Sequence, residues 1–161
     1  MEQWMDLSGK VIIVTGGSQG IGEHVTEALC KNGADVVVAD LMENEKFAKN
    51  KKVHFIKCNV AEKVSVDAMV EKVMEKYGKI DGLLNNAGVS RPRLLVDFYG
   101  KRPEYELSEE DFDFMTNVNQ KGVFLCSQAA ARHMIQAKTG VIVNMSSEAG
   151  MQGSKGQSCY S

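Results

Sequence analysis

The chain has 161 residues, of which 43% are hydrophobic and 25% charged, a length and composition that fit one globular domain with a buried core. Its net charge of −2 argues against nucleic acid or an anionic membrane surface as the main partner. No apolar run approaches the roughly 18 residues of a membrane span, and residues 1–10 show no signal peptide, so we expect a cytoplasmic protein.

Short β-branched or apolar runs alternate with helical patterns along the chain. The predicted strands are Lys10–Thr15, Asp35–Asp40, Val53–Lys57, Ile80–Leu84 and Gly140–Met145. The predicted helices are Ile21–Lys31, Lys63–Tyr77, a short helix capped by Ser108, and a longer one over about Asn119–Ala137. Such alternation predicts an α/β fold in which residues 1–161 form one domain, a doubly wound parallel sheet with helices on both faces.

One long irregular stretch, about residues 90–107, interrupts this alternation. It contains both prolines of the chain and four basic residues, Arg91, Arg93, Lys101 and Arg102. A loop of this length in a compact domain is usually functional or mobile. We therefore treat it as a candidate part of the functional site.

A glycine-rich segment, Thr15–Gly22, lies where the first strand turns into the first helix. Gly16 permits the turn, Gly20 lets the backbone approach a diphosphate, and Gly22 lets the helix pack closely. The amino terminus of the helix offers unpaired N–H groups to phosphate. A plain tight turn between packed elements is the alternative, but the position in the first βα unit favours a dinucleotide site.

Asp40 ends the second strand, about 20 residues after the glycine segment. A carboxylate there can accept hydrogen bonds from the adenosine ribose hydroxyls and would repel a 2′-phosphate. No arginine follows it in Leu41–Glu43 to welcome that phosphate. We therefore predict NAD rather than NADP, with a solvated strand-end aspartate as the alternative. The scattered cysteines and histidines have no metal-ligand spacing, so we expect reduced thiols and no metal site.

Several motifs together carry a resemblance to a known family. They are TGGSQGIG at Thr15–Gly22, NNAG at Asn85–Gly88, NVNQKG around Asn119, and VNMSSEAG followed by Tyr160. In this order along the chain they resemble the short-chain dehydrogenase/reductase family. The resemblance implies a Rossmann-type sheet of strand order 3-2-1-4-5, followed in the family by two further strands that this chain lacks.

The resemblance also implies a set of cofactor-binding residues. The glycine segment would hold the phosphates, Asp40 the adenine ribose, and Asn59 would lie beside the adenine, where many relatives have an aspartate. The residues implied to bind NAD are Thr15, Gly16, Ser18, Gln19, Gly20, Ile21, Gly22, Asp40, Asn59, Val60, Asn86, Ala87, Gly88 and Tyr160.

The catalytic residues implied by the resemblance are Asn119, Ser147 and Tyr160, with Ser146 as the competing serine. Oxidation of a secondary alcohol to a ketone needs a base for the hydroxyl proton and a hydride acceptor close to the carbon. Tyr160 would be that base, the Ser147 hydroxyl would bind the substrate oxygen, and Asn119 would anchor a water in a proton relay. Glu148, next to Ser147, could accept hydrogen bonds from polyol hydroxyls.

In the family a lysine completes a YxxxK motif and lowers the pKa of the tyrosine, which is otherwise near 10 and makes a poor base. Ser161 ends the chain before that position. We therefore expect this chain to be the N-terminal part of a longer dehydrogenase and to be inactive alone. Relatives often form dimers or tetramers, so the resemblance implies a homo-oligomer for the full-length protein.

The substrate is a further expectation from the resemblance. The span Val96–Glu106 is an insertion relative to most of the family, and the sequence around it is similar to the members that interconvert sorbitol 6-phosphate and fructose 6-phosphate using NAD. Five basic residues, Arg91, Arg93, Lys101, Arg102 and Lys155, are candidates to meet a phosphate, or they form a solvated loop. The alternatives are a dehydrogenase of another polyol, sugar or hydroxy compound, and a non-catalytic NAD-binding module.

Overall fold

The computed structural model describes residues 5–161 and contains one five-stranded parallel sheet. Met1–Trp4, the start of the segment in which no signal peptide is visible, lie outside the described residues. The strands are β1 (Val11–Thr15), β2 (Asp35–Asp40), β3 (Val53–Lys57), β4 (Gly82–Asn85) and β5 (Val141–Asn144). Their order is β3-β2-β1-β4-β5, which confirms the expected doubly wound fold.

Within residues 5–161, five α-helices connect and flank the strands. They are α1 (Gly20–Lys31), α2 (Lys63–Tyr77), α3 (Glu109–Thr116), α4 (Gly122–Ala137) and the short α5 (Ala149–Gln152). The longest predicted helix differs from the observed one, because a π-helical turn over Asn117–Lys121 joins α3 to α4. The α4 helix therefore begins at Gly122 rather than at Asn119.

Helices cover both faces of the sheet. On one face α2 contributes its predicted inward residues Val66, Met69, Val70 and Val73, all buried, and packs beside α4 against β1 and β4. On the other face α1 places Val25 and Leu29 against the buried valines of β1 and β2. Burying one such side chain contributes about 1.5–3 kcal/mol, so these two layers hold β1, β2 and β4 in place, whereas Val141 and Val143 of β5 stay exposed.

The sheet has a topological switch point between β1 and β4. The chain leaves β1 towards β2 on one side and later returns to β4 on the other side of β1. The loops after these strands therefore diverge and leave a crevice at the carboxyl ends, where open α/β sheets bind ligands. The glycine segment follows β1 and Asn86–Gly88 follow β4, so the fold places both at this crevice.

The long loop between β4 and α3 is closed at its base by backbone hydrogen bonds. The Leu94 N–H donates to the Tyr105 carbonyl over 2.7 Å, and the Leu107 N–H donates to the Leu94 carbonyl over 2.7 Å. Residues 95–106 therefore form an excursion whose two ends lie together, with a 3₁₀ turn at Pro103–Tyr105. None of the helices over residues 5–161 combines the length and apolar character needed to span a bilayer.

Candidate functional site

A large cavity of about 680 Å³ opens at the carboxyl ends of the strands. The glycine segment, the end of β2, the loop after β3 and the segment after β4 contribute to its walls. Nine residues predicted to bind the cofactor line it: Gly16, Gln19, Ile21, Asp40, Asn59, Val60, Asn86, Ala87 and Gly88. The structure thus brings together residues that are up to 72 positions apart in the sequence.

The glycine segment passes very close to the rest of the site. A Cβ atom on Gly22 would lie 2.1 Å from the Gly16 carbonyl oxygen and 2.6 Å from the Asn86 Nδ2. By contrast, Gly20 has φ of +57° and nothing within 4 Å of its Cβ position. Gly22 therefore permits close packing, while Gly20 leaves its surroundings open, as expected where a ligand approaches the backbone.

Hydrogen bonds between Thr15 and Asn86 hold the glycine segment against the segment after β4. The Thr15 Oγ1 accepts hydrogen bonds from the backbone N–H groups of Asn86 (3.0 Å) and Ala87 (3.1 Å). In return the Asn86 Nδ2 donates to the carbonyls of Thr15 (3.1 Å) and Gly16 (3.0 Å). Thr15 is buried and does not line the cavity, so its hydroxyl positions the loop.

Asp40 is tied to the glycine segment by its carboxylate. Its Oδ2 accepts from the Ser18 N–H over 3.0 Å, and its Oδ1 accepts from the Leu41 N–H over 2.7 Å. The side chain is half-buried at the end of β2 and lines the large cavity. These two hydrogen bonds therefore hold the carboxylate beside the glycine segment.

Two observations test whether a dinucleotide fits here. The Ser18 hydroxyl is buried and has no hydrogen-bond partner in the described residues, which leaves a polar atom that a ligand can satisfy. The α1 helix begins after Gln19 without a side-chain cap, so its first N–H groups are available to an anion. Together with the Asp40 carboxylate, these groups fit the phosphates and a ribose of a dinucleotide.

The predicted adenine-side residue, Asn59, is held within its own loop. Its Nδ2 donates to the Glu62 Oε1 over 2.8 Å, and its Oδ1 accepts from the Ala61 N–H over 3.1 Å. The amide oxygen has a second lone pair and the residue lines the large cavity. Asn59 is therefore able to accept one further hydrogen bond there.

A second cavity of about 490 Å³ contains the three predicted catalytic residues, Asn119, Ser147 and Tyr160. It shares a set of lining residues with the large cavity: Ile21, Asn86, Ala87, Gly88 and Val89. The two cavities therefore adjoin. Ser146 also lines the second cavity, whereas Glu148 is exposed and is not among the lining residues.

The serine and the tyrosine are carried by two turns near the end of the chain. The Ser147 Oγ accepts from the Ala149 N–H over 3.2 Å at the start of α5. Tyr160 lies in a turn closed by a hydrogen bond from the Ser161 N–H to the Gln157 carbonyl over 2.8 Å. Both residues are only half-buried and line the second cavity.

Asn119 lies in the π-helical turn and clamps the segment after β4. Its Oδ1 accepts from the Val89 N–H over 2.9 Å, and its Nδ2 donates to the Val89 carbonyl over 2.8 Å. The side chain therefore positions Val89, which lines both cavities. The sequence gives no signal for this clamp, because π-helical turns have no marker residue, although they are frequent at functional sites.

Two of the basic loop residues, Arg91 and Arg93, are already paired. The Arg91 Nη1 lies 2.6 Å from the Asp111 Oδ1, and the Arg93 Nε lies 2.9 Å from the Asp111 Oδ2. The hydrogen bond from Arg91, helped by Arg93, holds the pKa of Asp111 below its usual value. Arg91 also stacks 4.1 Å from the centre of the Phe114 ring. This cluster fastens the long loop to α3, whose predicted cap, Ser108, accepts from the Asp111 N–H.

Over residues 5–161 no group of three histidine, cysteine, aspartate or glutamate side chains is arranged to hold a metal ion. The four cysteines are free thiols. Burial raises the pKa of Cys126 to about 12 and that of Cys30 to about 11. These two thiols are therefore protonated at neutral pH and poor nucleophiles.

Comparison with known proteins connects this geometry to a family. The chain is 44% identical over 160 residues to sorbitol-6-phosphate 2-dehydrogenase of Klebsiella pneumoniae, covering 99% of this chain and 60% of that protein. It is 39% identical to the 3-oxoacyl-[acyl-carrier-protein] reductase FabG of Thermotoga maritima, covering 97% and 63%. The crystal structure of gox2181 superposes with a TM-score of 0.86 at 30% identity, covering 96% and 61%.

The chain thus spans about 60% of the length of these relatives, and the expectation that it is part of a longer enzyme stays a prediction. The family to which these relatives belong generally uses NAD or NADP. The sequence model described as short chain dehydrogenase matches residues 10–161, which include both cavities and all the predicted site residues. The chain therefore belongs to the short-chain dehydrogenase family.

Proposed function

We propose that the protein from which this chain comes is an NAD-dependent dehydrogenase that interconverts sorbitol 6-phosphate and fructose 6-phosphate. The observation that carries the proposal is the adjoining pair of cavities. The large one is lined by residues of the glycine segment and by Asp40, and the second is lined by Ser147 and Tyr160. The 44% identity to the Klebsiella pneumoniae enzyme supports this choice of substrate.

Each site residue has a role in this proposal. The Tyr160 hydroxyl takes the proton from the substrate alcohol, and the Ser147 hydroxyl donates a hydrogen bond to the same oxygen and holds it in place. Asn119 acts as a positioning residue through its two hydrogen bonds to Val89. A bound NAD supplies the hydride acceptor in the large cavity.

The proposed function is tested on the protein produced from its native gene. NADH formation is measured with sorbitol 6-phosphate, with unphosphorylated sorbitol and with a 3-hydroxyacyl thioester, the last because of the 39% identity to an acyl-carrier-protein reductase. We expect the phosphorylated polyol to give the highest kcat/KM. A preference for the thioester would replace the proposed substrate, and NADH binding without turnover of any of the three would indicate a non-catalytic module.

Asp40 is expected to set the preference for NAD over NADP. The Asp40→Asn variant keeps an oxygen that can accept from the Ser18 N–H and removes the negative charge. Two unit charges about 4 Å apart repel by about 1 kcal/mol even in bulk water, so the ratio of NADPH to NADH affinity should rise at least about fivefold. Titration of the protein's fluorescence with each cofactor measures this ratio.

The matched control for Asp40 is Asp35→Asn, which removes a carboxylate from the opposite end of the same strand. Asp35 lies 3.8 Å from Lys52 and does not line the large cavity. Its variant should leave the cofactor preference unchanged. An Asp40→Asn protein with the wild-type ratio would show that another residue selects the cofactor.

A further inference from the structure

A third pocket, which we call the loop pocket, lies outside both cavities. It has a volume of about 490 Å³ and is formed by the long loop and the turn before Tyr160. Its lining residues are Pro92, Arg93, Leu94, Asp97, Tyr99, Lys101, Arg102, Tyr105, Lys155 and Gly156. Four of them are basic and one is acidic, so the pocket is strongly positive.

Within the described part of the chain, three of the four basic side chains of the loop pocket lack a protein counter-charge, whereas Arg93 is paired with Asp111. Lys101, Arg102 and Lys155 form no ion pair with any residue over 5–161. The single carboxylate, Asp97, accepts through its Oδ2 from the backbone N–H of Arg102 over 2.6 Å. Like charges gathered without partners repel one another, so the arrangement gains stability when an anion enters.

Aromatic rings contact two of these three cations, Lys101 and Arg102. The Lys101 Nζ lies 5.6 Å from the centre of the Tyr99 ring, and the Arg102 guanidinium lies 6.0 Å from that of Tyr105. Arg93 approaches the same Tyr105 ring at 5.6 Å while its Nε bonds to Asp111. Cation–π contacts of this kind hold a charged head in place without neutralising it, so its N–H groups remain available to a ligand.

The loop pocket neighbours the second cavity, because the same two chain segments line both. Ser90 lines the second cavity and Pro92 the loop pocket, while Gly156 lines the loop pocket and Cys159 the second cavity. The Arg93 N–H donates to the Gly156 carbonyl over 2.6 Å and joins the two segments. Gly156 and Tyr160 are four positions apart in the sequence, at most about 14 Å of extended chain.

We propose that the loop pocket binds the phosphate group of the substrate, with Lys101, Arg102 and Lys155 as its ligands. This rests on the proposed function, because it assumes a phosphorylated substrate whose reacting carbon lies in the second cavity beside Tyr160. Arg91 has no part in it, since its guanidinium is paired with Asp111 and stacked on Phe114. The insertion in the long loop thereby becomes the element that selects phosphorylated polyols.

The first test measures binding of inorganic phosphate by isothermal titration, using the protein from its native gene saturated with NADH, so that phosphate does not occupy the first N–H groups of α1. The wild type should bind phosphate, and the double variant Lys101→Met/Arg102→Met should raise the Kd at least about tenfold, as should Lys155→Met, because each removes charged hydrogen-bond donors. The control Lys51→Met removes an exposed lysine just before β3 and should leave the Kd unchanged. Matching urea midpoints show that the variants are folded.

This titration separates the failure of the pocket from the failure of the proposed function, because it requires no turnover. If the wild type did not bind phosphate, or if the Kd were unchanged in the variants, the proposal that the loop pocket binds phosphate would be wrong, whatever the enzyme's activity. In the NADH assay, the variants should raise KM at least about tenfold for sorbitol 6-phosphate and leave that for sorbitol unchanged. An equal rise in KM for both substrates would also contradict the proposal, since it would indicate a structural role for these cations.

Discussion

Replacing Tyr160 with phenylalanine should reduce kcat/KM for the polyol substrate by roughly 10²–10⁴-fold, the usual contribution of a positioned acid–base group. The change removes one hydroxyl from the wall of the second cavity and keeps the ring. The loss should appear mainly in kcat, because the proton is transferred in the transition state. Steady-state NADH formation by the protein from its native gene measures it.

The matched control for Tyr160 is Tyr77→Phe. Tyr77 ends α2 and packs against the main core, and it lines neither cavity. Its variant should keep wild-type kcat/KM, and both variants should still bind NADH. Activity of Tyr160→Phe close to that of the wild type would remove Tyr160 from the mechanism and direct attention to Ser146 and Ser147.

The Gly22→Ala substitution should destabilise the fold and weaken cofactor binding together. The added Cβ would lie 2.1 Å from the Gly16 carbonyl oxygen, and a backbone atom cannot move aside as a flexible side chain can. Overpacking of this kind costs about 1–3 kcal/mol. Because α1 and the glycine segment must separate, we expect a lower urea midpoint and at least about tenfold weaker NADH binding.

Gly82→Ala makes the same chemical change without the clash. A Cβ on Gly82 would meet Ile12 at 3.4 Å, an ordinary van der Waals contact. This variant should keep the NADH affinity and lie within about 1 kcal/mol of wild-type stability. If the Gly22→Ala variant had the same urea midpoint and the same NADH affinity as the wild type, the close approach between α1 and the Gly16 carbonyl would not be required.

The sheet could be predicted from the sequence because its signals are local. Each strand is a short run of apolar residues, and the buried face of α2 repeats with the period of a helix, as Val66, Met69, Val70 and Val73 show. The strand order followed from the family resemblance rather than from any local pattern. Only the strand ends moved, by one or two residues, because fraying ends carry weak signals.

The site was predictable only where a motif marks it. The glycine segment and Asp40 were predicted from their spacing and Tyr160 from the family resemblance, and the structure places them along the walls of the two adjoining cavities. The clamp between Asn119 and Val89 could not be predicted, because it joins residues 30 positions apart. An asparagine side chain is also compatible with the solvent-exposed face of a helix. The pairing of Arg91 and Arg93 with Asp111 could not be predicted either, since the sequence does not tell which of the four loop cations meets a carboxylate.

Because the base of the long loop is closed by hydrogen bonds, its tip can be replaced without changing the rest of the domain. Leu94 is bonded to Tyr105 and Leu107, so residues 95–106 enter and leave the domain at one point. Closing a loop costs only about 0.6 kcal/mol more for each doubling of its length, so insertions and deletions at the tip should cost little stability, and none of residues 95–106 lines the large cavity. Evolution can therefore change what this scaffold accepts by remodelling one loop, and a protein engineer can graft another in its place.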